Sequence, residues 1–291
     1  MFLSIKISKK FIFSFLILIF GISFFAISSF AGNITENDDD CVHLPIIMYH
    51  GISKSPRYQG RYVISPEEFE SDLKYIKDNQ YNTIFVDDVI NYVCNDTPLP
   101  ENPIMITFDD GYYNNFLYAY PLLQKYNCKM VLSPIGKYTD IYSQCDDRNA
   151  NYAHCTWDNI NEMAASGLVE IQNHSYDMHT TNKKGRRNGA KKLKGESHEE
   201  YQAALTKDLT KMQQEILDNT GIKSQAFTFP FGAVSNDSID ILKGIGFKAA
   251  LTCEEKTNKI THDTECLYHL NRFIRPHNIS TEKLFSKISK K

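Results

Sequence analysis

The stretch PIMITFDDG, residues 103–111, decides the fold prediction for this chain. Its apolar part ends in the β-branched Thr107, a pattern typical of a buried strand. Asp109 and Asp110 therefore lie where a strand passes into a loop. Two adjacent carboxylates repel each other unless a cation or a shared proton gives them different roles. The stretch thus predicts a strand whose end carries chemistry.

A second segment, NHSYDMH at residues 173–179, has the same organisation, because it follows the apparent strand LVEIQ at 168–172. One Asp together with His174 and His179 makes a good ligand set for a divalent metal that keeps coordination positions open for water and substrate. The spacing of the two histidines does not place them on one face of a helix. We therefore expect an irregular loop beyond a strand end.

Strands and helices alternate outward from these two segments. Predicted strands occupy residues 44–49, 83–86, 104–107, 130–135, 168–172, 226–229 and 247–251. Predicted helices lie at 87–93, 115–126, 157–165, 199–219 and 238–243, and a further helix begins in the capping box at 65–68. This alternation predicts a parallel α/β fold with active-site residues at the carboxyl ends of strands. A flat doubly wound sheet fits the pattern as well as a barrel does.

The segments 107–111 and 174–179, followed by FPFG at 229–232, resemble the three sequence motifs of the polysaccharide deacetylase family, the NodB-homology carbohydrate esterases. The resemblance covers roughly residues 44–277. It is closest to the poly-N-acetylglucosamine deacetylase branch, because the Tyr-His pair that ends in His50 resembles one near the start of that domain. The resemblance implies an α/β fold that forms an irregular (β/α) barrel of about seven strands.

The resemblance also implies roles for the ionisable residues of the first two motifs. Asp110, His174 and His179 would bind one divalent metal, and Asp109 would be the general base that takes a proton from water. Zn²⁺ suits one Asp and two His, although Fe²⁺, Co²⁺ and Ni²⁺ fit the same ligands. The metal would hold Asp110 ionised and leave Asp109 to accept the proton.

An amide leaving group needs a general acid, and three histidines are candidates. His50 is favoured, because it follows the first predicted strand as the other motifs follow theirs. His269 lies in a Leu-Tyr-His sequence that matches the Leu-x-His motif from which most family members draw their acid. His277 is the third candidate.

The third motif departs from the family pattern. The Arg that the family places beside Pro-Tyr, where it helps to hold the catalytic Asp, is absent, and we predict Arg272 as its substitute. Phe231 replaces the usual Tyr, which keeps an apolar wall but loses a hydroxyl. The predicted substrate contacts are Tyr112, Pro230, Phe231 and Gly232.

Length and composition bound the organisation of the chain. Its 291 residues suffice for one sizeable domain, and a net charge of −3 gives no indication of nucleic-acid binding. Residues 1–31 combine basic positions with a long uncharged run, which predicts a signal peptide or an N-terminal membrane anchor. A linker at 32–43, a catalytic domain at 44–280 and a basic C-terminal tail at 281–291 complete the prediction. Either form of the N-terminal segment would export the domain.

Seven cysteines are compatible with export, because disulfides form in oxidising compartments. Cys145 with Cys155, and Cys253 with Cys266, could each close a local loop, and scattered thiols are the alternative. No Cys-x-x-Cys pair occurs, so a cysteine-based zinc site is not expected.

The sequence therefore predicts an exported, metal-dependent hydrolase that removes acetyl groups from N-acetylated amino sugars. Its partner would be an acetylated polysaccharide of the cell envelope or the extracellular space, such as peptidoglycan, poly-N-acetylglucosamine or a chitin-like polymer. No nucleic acid is expected, and a membrane is expected only through an uncleaved N-terminal segment. Two alternatives stay open: an O-acetyl esterase acting on hemicellulose, and a non-catalytic envelope protein that binds glycans.

Overall fold

The protein is described by a computed structural model that covers residues 41–145, 147–181 and 186–289. The predicted signal or anchor at 1–31 and most of the predicted linker lie outside these ranges. Among the described helices, none combines the length and apolar character needed to cross a membrane. The fold below is that of the unit Cys41–Lys291.

Most of the strands are short and parallel. In chain order they are β1 (Val42–Leu44), β2 (Ile46–Tyr49), β3 (Gly51–Ile52), β4 (Val63–Ile64), β5 (Asn82–Thr83), β6 (Pro103–Asp110), β7 (Met130–Pro134), β8 (Val169–Ile171), β9 (Ala226–Thr228), β10 (Ala249–Leu251), β11 (Asn258–Ile260) and β12 (Phe273–Ile274). The helices are α1 (Pro66–Asp78), α2 (Val86–Asn95), α3 (Tyr120–Tyr126), α4 (Gly136–Ser143), α5 (Trp157–Ala165), α6 (His198–Thr220), α7 (Ser238–Gly244) and α8 (Thr281–Ile288).

Seven of these strands close into an irregular barrel. The central parallel sheet has the order β12-β2-β6-β7-β8, and β9 pairs with β10, also in parallel. A parallel bridge between Asn173 and Phe227 joins β8 to β9, and another between Leu251 and Leu270 joins β10 to the segment before β12. The prediction of an irregular (β/α) barrel of about seven strands is thereby confirmed, and the flat sheet is excluded.

Strand β6 shows why this sequence builds such a barrel. All eight of its residues are buried, as expected for a parallel strand that is covered on both faces. Successive side chains point to opposite faces, so Ile104 and Ile106 join one hydrophobic cluster while Met105 joins the other. The strand continues through Asp109 and Asp110, beyond its predicted end at 107. Both carboxylates therefore belong to a fully buried strand, which is the longest strand described.

Helix α1 illustrates how the outer layer is attached. Ser65 caps the helix with its side chain, and Glu68 completes the predicted capping box by accepting a hydrogen bond from the Ser65 backbone N–H. Phe69, Leu73 and Ile76 then recur at helical spacing and are fully buried against the sheet. Local sequence signals thus determine both the start of this helix and its buried face.

Two predicted boundaries need correction. Residues 42–44, assigned to the linker or its edge, form β1 and pair with the antiparallel β11. Residues 281–288, predicted as part of a basic tail, form α8, whose Leu284 and Phe285 are buried in the core. Of the basic residues in that stretch, Lys283 and Lys287 are exposed on the outer side of this amphipathic helix. Helix α4 was not predicted, and the strand predicted at 83–86 is shorter than expected, because β5 ends at Thr83 and α2 begins at Val86.

Among the described residues, no disulfide bond closes a local loop. Neither Cys145 with Cys155 nor Cys253 with Cys266 is disulfide-bonded. Cys155 is instead buried, and its thiol donates to the Tyr112 backbone carbonyl at 3.2 Å. Burial raises the pKa of this thiol to about 12, so it is unreactive in the folded state.

Candidate active site

A cleft of about 560 Å³ opens at the carboxyl ends of the barrel strands. It collects side chains from the ends of β2 and β6 and from the loops after β8, β9 and β10. The residues in its wall that the sequence predicted are His50, Asp109, Asp110, His174, His179 and Phe231. Positions scattered over some 180 residues of sequence therefore meet in one place, as the carboxyl-end rule for parallel barrels requires.

Three of these side chains form a potential metal centre. Asp110 Oδ1 lies 3.4 Å from His174 Nε2 and 3.1 Å from His179 Nε2. All three ligand atoms lie within 4.8 Å of one another. Asp110 Oδ1 is buried and accepts no hydrogen bond from any described residue. A buried carboxylate oxygen is costly to leave unpaired, so a cation between these atoms fits the residues that are present.

Each imidazole directs its Nε2 at Asp110 Oδ1. Burial would lower the pKa of His174, but the carboxylates of Asp110 and Asp109 outweigh it and raise that pKa. His174 Nδ1 lies 2.8 Å from the Thr228 carbonyl oxygen, and a proton on Nδ1 leaves the lone pair of Nε2 facing Asp110. Burial lowers the pKa of His179 to about 4, so this ring is neutral. Burial alone would raise the pKa of Asp110, but the neighbouring imidazoles outweigh it and hold that pKa well below its ordinary value.

Unusual backbone conformations aim the ligands into the cleft. Asp110, Ser175 and Phe231 all have positive φ angles, of 70°, 73° and 58° respectively. Such angles are uncommon outside glycine and concentrate at functional sites. Gly111 also has a positive φ, and a Cβ there would come within 2.7 Å of the Pro134 Cβ. Each motif thus turns sharply at the end of its strand, which returns side chains toward the cleft.

Asp109 is held by the arginine that the sequence suggested. Arg272 Nη1 donates to Asp109 Oδ1 at 2.6 Å, and Nη2 donates to Oδ2 at 2.9 Å. Both side chains are buried, and Arg272 Nε is anchored on the Thr252 carbonyl at 2.7 Å. Burial would raise the pKa of Asp109, but Arg272 and His174 together lower it below the ordinary value. Asp109 is therefore ionised at neutral pH and fixed in one orientation by a bidentate partner.

Replacing Arg272 should destabilise the protein strongly. We expect Arg272→Met to lower the free energy of unfolding by about 3–5 kcal/mol, because it leaves Asp109 as a buried, unpaired charge. Urea unfolding monitored by circular dichroism measures this change. Arg275 offers a matched control, since it forms a second buried pair with Asp72, at 2.7 Å, outside the cleft.

Arg275→Met should cost a similar free energy. Lysine variants separate the two arginines by turnover. Arg272→Lys should lose turnover, because Lys cannot hold the Asp109 carboxylate in a bidentate manner. Arg275→Lys should retain turnover, because its partner Asp72 lies outside the cleft. Equal turnover in the two Lys variants would contradict a role for Arg272 in positioning Asp109.

Of the three histidines considered as general acid, His50 is the one in the cleft. Its Nε2 lies 3.9 Å from Asp109 Oδ2, and its ring packs edge-on against Tyr62 at 4.9 Å. His269 is exposed at the end of a short 3₁₀ helix. His277 bonds through Nδ1 to Glu68 Oε2 at 2.8 Å. Neither of these two lines the cleft.

The predicted substrate contacts separate into two groups. Phe231 lines the cleft with 45% of its surface exposed, and its ring centroid lies 4.4 Å from that of His179. Tyr112, Pro230 and Gly232 are not part of the described cleft wall, so their contact with a substrate remains a prediction. Tyr112 packs against His154, and burial next to Asp110 raises the pKa of its phenol.

The sequence did not predict several residues of the site. Arg61 and Tyr62 reach the cleft from the loop before β4, and Cys253, Glu255 and Ile274 reach it from β10 and beyond. None of them lies in a recognisable motif. The buried His154 is also part of the surroundings, because its Nδ1 lies 2.9 Å from the Asp110 carbonyl oxygen.

Comparisons with known proteins agree with this geometry. The family model described as polysaccharide deacetylase matches residues 96–250. The chain is 22% identical over 227 residues to the poly-beta-1,6-N-acetyl-D-glucosamine N-deacetylase of Escherichia coli (strain K12), which covers 72% of this chain and 33% of that protein. It is 25% identical over 199 residues to the enzyme of the same name from Staphylococcus aureus (strain MRSA252), which covers 67% of this chain and 62% of that protein.

A solved structure shares the fold. The de-N-acetylase from Aggregatibacter actinomycetemcomitans superposes with a TM-score of 0.72 at 25% identity, over 84% of this chain and 100% of that one. This chain thus matches about a third of the Escherichia coli relative and under two thirds of the Staphylococcus aureus one. Because the family model matches more than half of the residues and the barrel agrees, this chain belongs to the polysaccharide deacetylase family.

Proposed function

We propose that this protein is a metal-dependent N-deacetylase that releases acetate from N-acetylated amino sugars in a polysaccharide. The observation that carries the proposal is the convergence of Asp110, His174 and His179 beside a carboxylate, Asp109, that a buried arginine holds ionised. Family membership and the names of the relatives support the same reaction. A substrate of the cell envelope or of the extracellular space agrees with the targeting segment predicted at 1–31.

The metal site would hold one divalent cation through Asp110, His174 and His179. A cation there would polarise the acetyl carbonyl and make water a better nucleophile. We favour Zn²⁺ because it prefers nitrogen and oxygen ligands in sites with an open position, and Fe²⁺, Co²⁺ and Ni²⁺ are alternatives that the ligand set permits.

Asp109 is placed to accept the proton that water gives up as it attacks. Arg272 donates to both oxygens of the Asp109 carboxylate and thereby fixes the orientation that this carboxylate presents to the attacking water. Oδ2 also faces the His50 ring at 3.9 Å. A positioned carboxylate of this kind contributes most when it cannot rotate away from the water.

His50 is placed to protonate the departing amine at the other end of the reaction. Burial dominates and lowers the pKa of His50 below its ordinary value, while the carboxylates of Asp109 and Asp110 offset part of that shift. Transfer of a proton from Nε2 to the amide nitrogen lets the carbon–nitrogen bond break, with acetate and a free amine as products. An amine anion is too poor a leaving group to depart without this proton.

Two exposed aromatic rings frame the cleft. Tyr62 is 51% exposed and packs against His50, whereas Phe231 is 45% exposed and packs against His179. An aromatic ring offers a flat apolar surface that suits one face of a pyranose ring. This arrangement supports a sugar bound between the proposed acid and the metal ligands.

Acetate release from a panel of glycans tests the proposal. The metal-reconstituted protein should release acetate from poly-N-acetylglucosamine, chitin oligomers or peptidoglycan, and addition of a chelator should stop the reaction. Acetate release from acetylated xylan alone would favour the O-acetyl esterase. Glycan binding that survives the chelator and yields no acetate would favour a non-catalytic binding protein.

The role of His50 can be separated from that of the metal ligands. We expect His50→Ala to keep its metal and to lose about 10²–10⁴-fold in turnover of an N-acetyl substrate, the usual worth of a positioned acid. Hydrolysis of an aryl acetate ester should suffer much less, because an aryl oxide leaves without protonation. Turnover assays on both substrates measure the contrast.

The matched control is His269→Ala, which changes a histidine outside the cleft and should leave both activities near wild type. An essential His269 together with a dispensable His50 would show that the acid comes from the C-terminal Leu-x-His sequence.

A further inference from the structure

The cleft does not end at the proposed catalytic residues. Arg61, Glu255 and Ile274 line the cleft and also line a second groove of about 510 Å³. This second groove runs along α8, where Ile279, Lys283 and Ser286 contribute to its wall. We call it the α8 groove. Because the two depressions share three lining residues, they adjoin each other on the surface.

The floor of the α8 groove is apolar. Ile274, Pro276 and Ile279 are half-buried and lie in its lining. The faces of pyranose rings carry C–H groups that pack against such side chains, while their hydroxyl groups stay in contact with polar rims. The chemistry of the floor therefore suits further sugar units of a polymer rather than a small isolated substrate.

The rim of the groove carries surplus positive charge. Glu255 is neutralised by an ion pair with Lys287. Arg61 and Lys283 have no carboxylate partner among the described residues, and both are exposed. A chain bearing ammonium groups would be repelled by these two cations, whereas a neutral, acetylated chain would not.

We propose that the α8 groove binds the sugar units next to the one being deacetylated, and that its charge selects acetylated units over those already converted to amines. This inference rests on the proposed function and extends it to the form of the substrate: an extended polymer that lies over Ile274 toward α8. Binding energy from these remote units would raise kcat/KM for long oligomers over short ones.

A second surface near the site competes with the α8 groove for this role. A depression of about 600 Å³ beside the loop that follows β8 is lined by Met178, Thr180 and Lys207. It shares no lining residue with the catalytic cleft among the residues described. Adjacency to the cleft therefore favours the α8 groove, and Lys207 provides a matched control.

The test compares kcat/KM for N-acetylglucosamine oligomers of two and six units. Ser286→Trp places a bulky side chain in the groove at an exposed position, and Ser286→Ala is its control. In Ser286→Trp the preference for the six-unit oligomer should fall by about tenfold, while Ser286→Ala should match wild type. Metal content and aryl acetate hydrolysis should be unchanged in both, because the groove lies beyond the catalytic residues.

A charge test accompanies it. Lys283→Glu should reduce the preference for a fully acetylated six-unit oligomer over a partly deacetylated one, and Lys207→Glu should leave that preference intact. An unchanged length preference in Ser286→Trp, or a larger effect from Lys207, would overturn the inference while leaving the proposed function in place. A wild-type protein that hydrolyses the aryl ester but releases no acetate from either oligomer would contradict both.

Discussion

Alanine at Asp110 or at His174 is expected to abolish tight metal binding and acetate release together. Each change removes one of only three protein ligands in the described site, and the ligand atoms lie within 4.8 Å of one another. Loss of a residue that merely orients a ligand costs about 10–100-fold in metal affinity, so loss of a ligand itself should exceed that range. Metal content after dialysis, measured by elemental analysis, and acetate release together report the result.

The choice of control decides how this result is interpreted. His269→Ala removes an imidazole outside the cleft and should bind metal as the wild type does. Wild-type metal stoichiometry in Asp110→Ala or His174→Ala would overturn the assignment of these residues as ligands. Loss of metal in all variants alike would point to a general loss of the fold, which far-UV circular dichroism detects.

Asp109→Asn should behave differently, because it leaves all three ligands in place. We expect the metal to be retained while turnover falls by about 10²–10⁴-fold, since the amide cannot accept the proton from water. The variant should also lose stability, because Arg272 then lies buried without a counter-charge. Single-turnover assays and urea unfolding measure the two effects separately.

A double variant separates the two roles of Asp109. Combining Asp109→Asn with Arg272→Met removes both buried charges, so part of the lost stability should return. Turnover should stay low, because no base has been restored. Recovery of turnover together with stability would mean that Asp109 supports the fold and takes no part in proton transfer.

The local chain determined much of what the sequence analysis predicted. The apolar run before Thr107 forms a buried parallel strand, and the capping box at Ser65 starts a helix, because both signals act over a few residues. The sequence also predicted the metal ligands. Asp110 ends one strand, His174 and His179 lie in the loop after another, and the carboxyl ends of parallel strands meet on one side of a barrel.

Other features depend on residues that are distant in sequence and carry no local signal. Arg272 lies 163 positions from Asp109, and only closure of the barrel brings the guanidinium onto the carboxylate. Closure of the barrel also brings Arg61 and Ile274 to one cleft. The stretch predicted as a basic tail forms α8 because it packs against the barrel.

Burial explains why the sequence alone could not decide these points. The amphipathic α8 is a helix in this protein because Leu284 and Phe285 find a core to cover, and eight residues are too few to form a stable helix in isolation. The pairing of Arg272 with Asp109 also depends on burial. A charged side chain needs a partner only where the folded barrel has excluded water from around it. The sequence by itself therefore determined six of the seven barrel strands, their order of appearance and the ligand-bearing loops. The tertiary structure decided which distant side chains complete the site, because pairing between buried charges depends on position in space and on the loss of water around them.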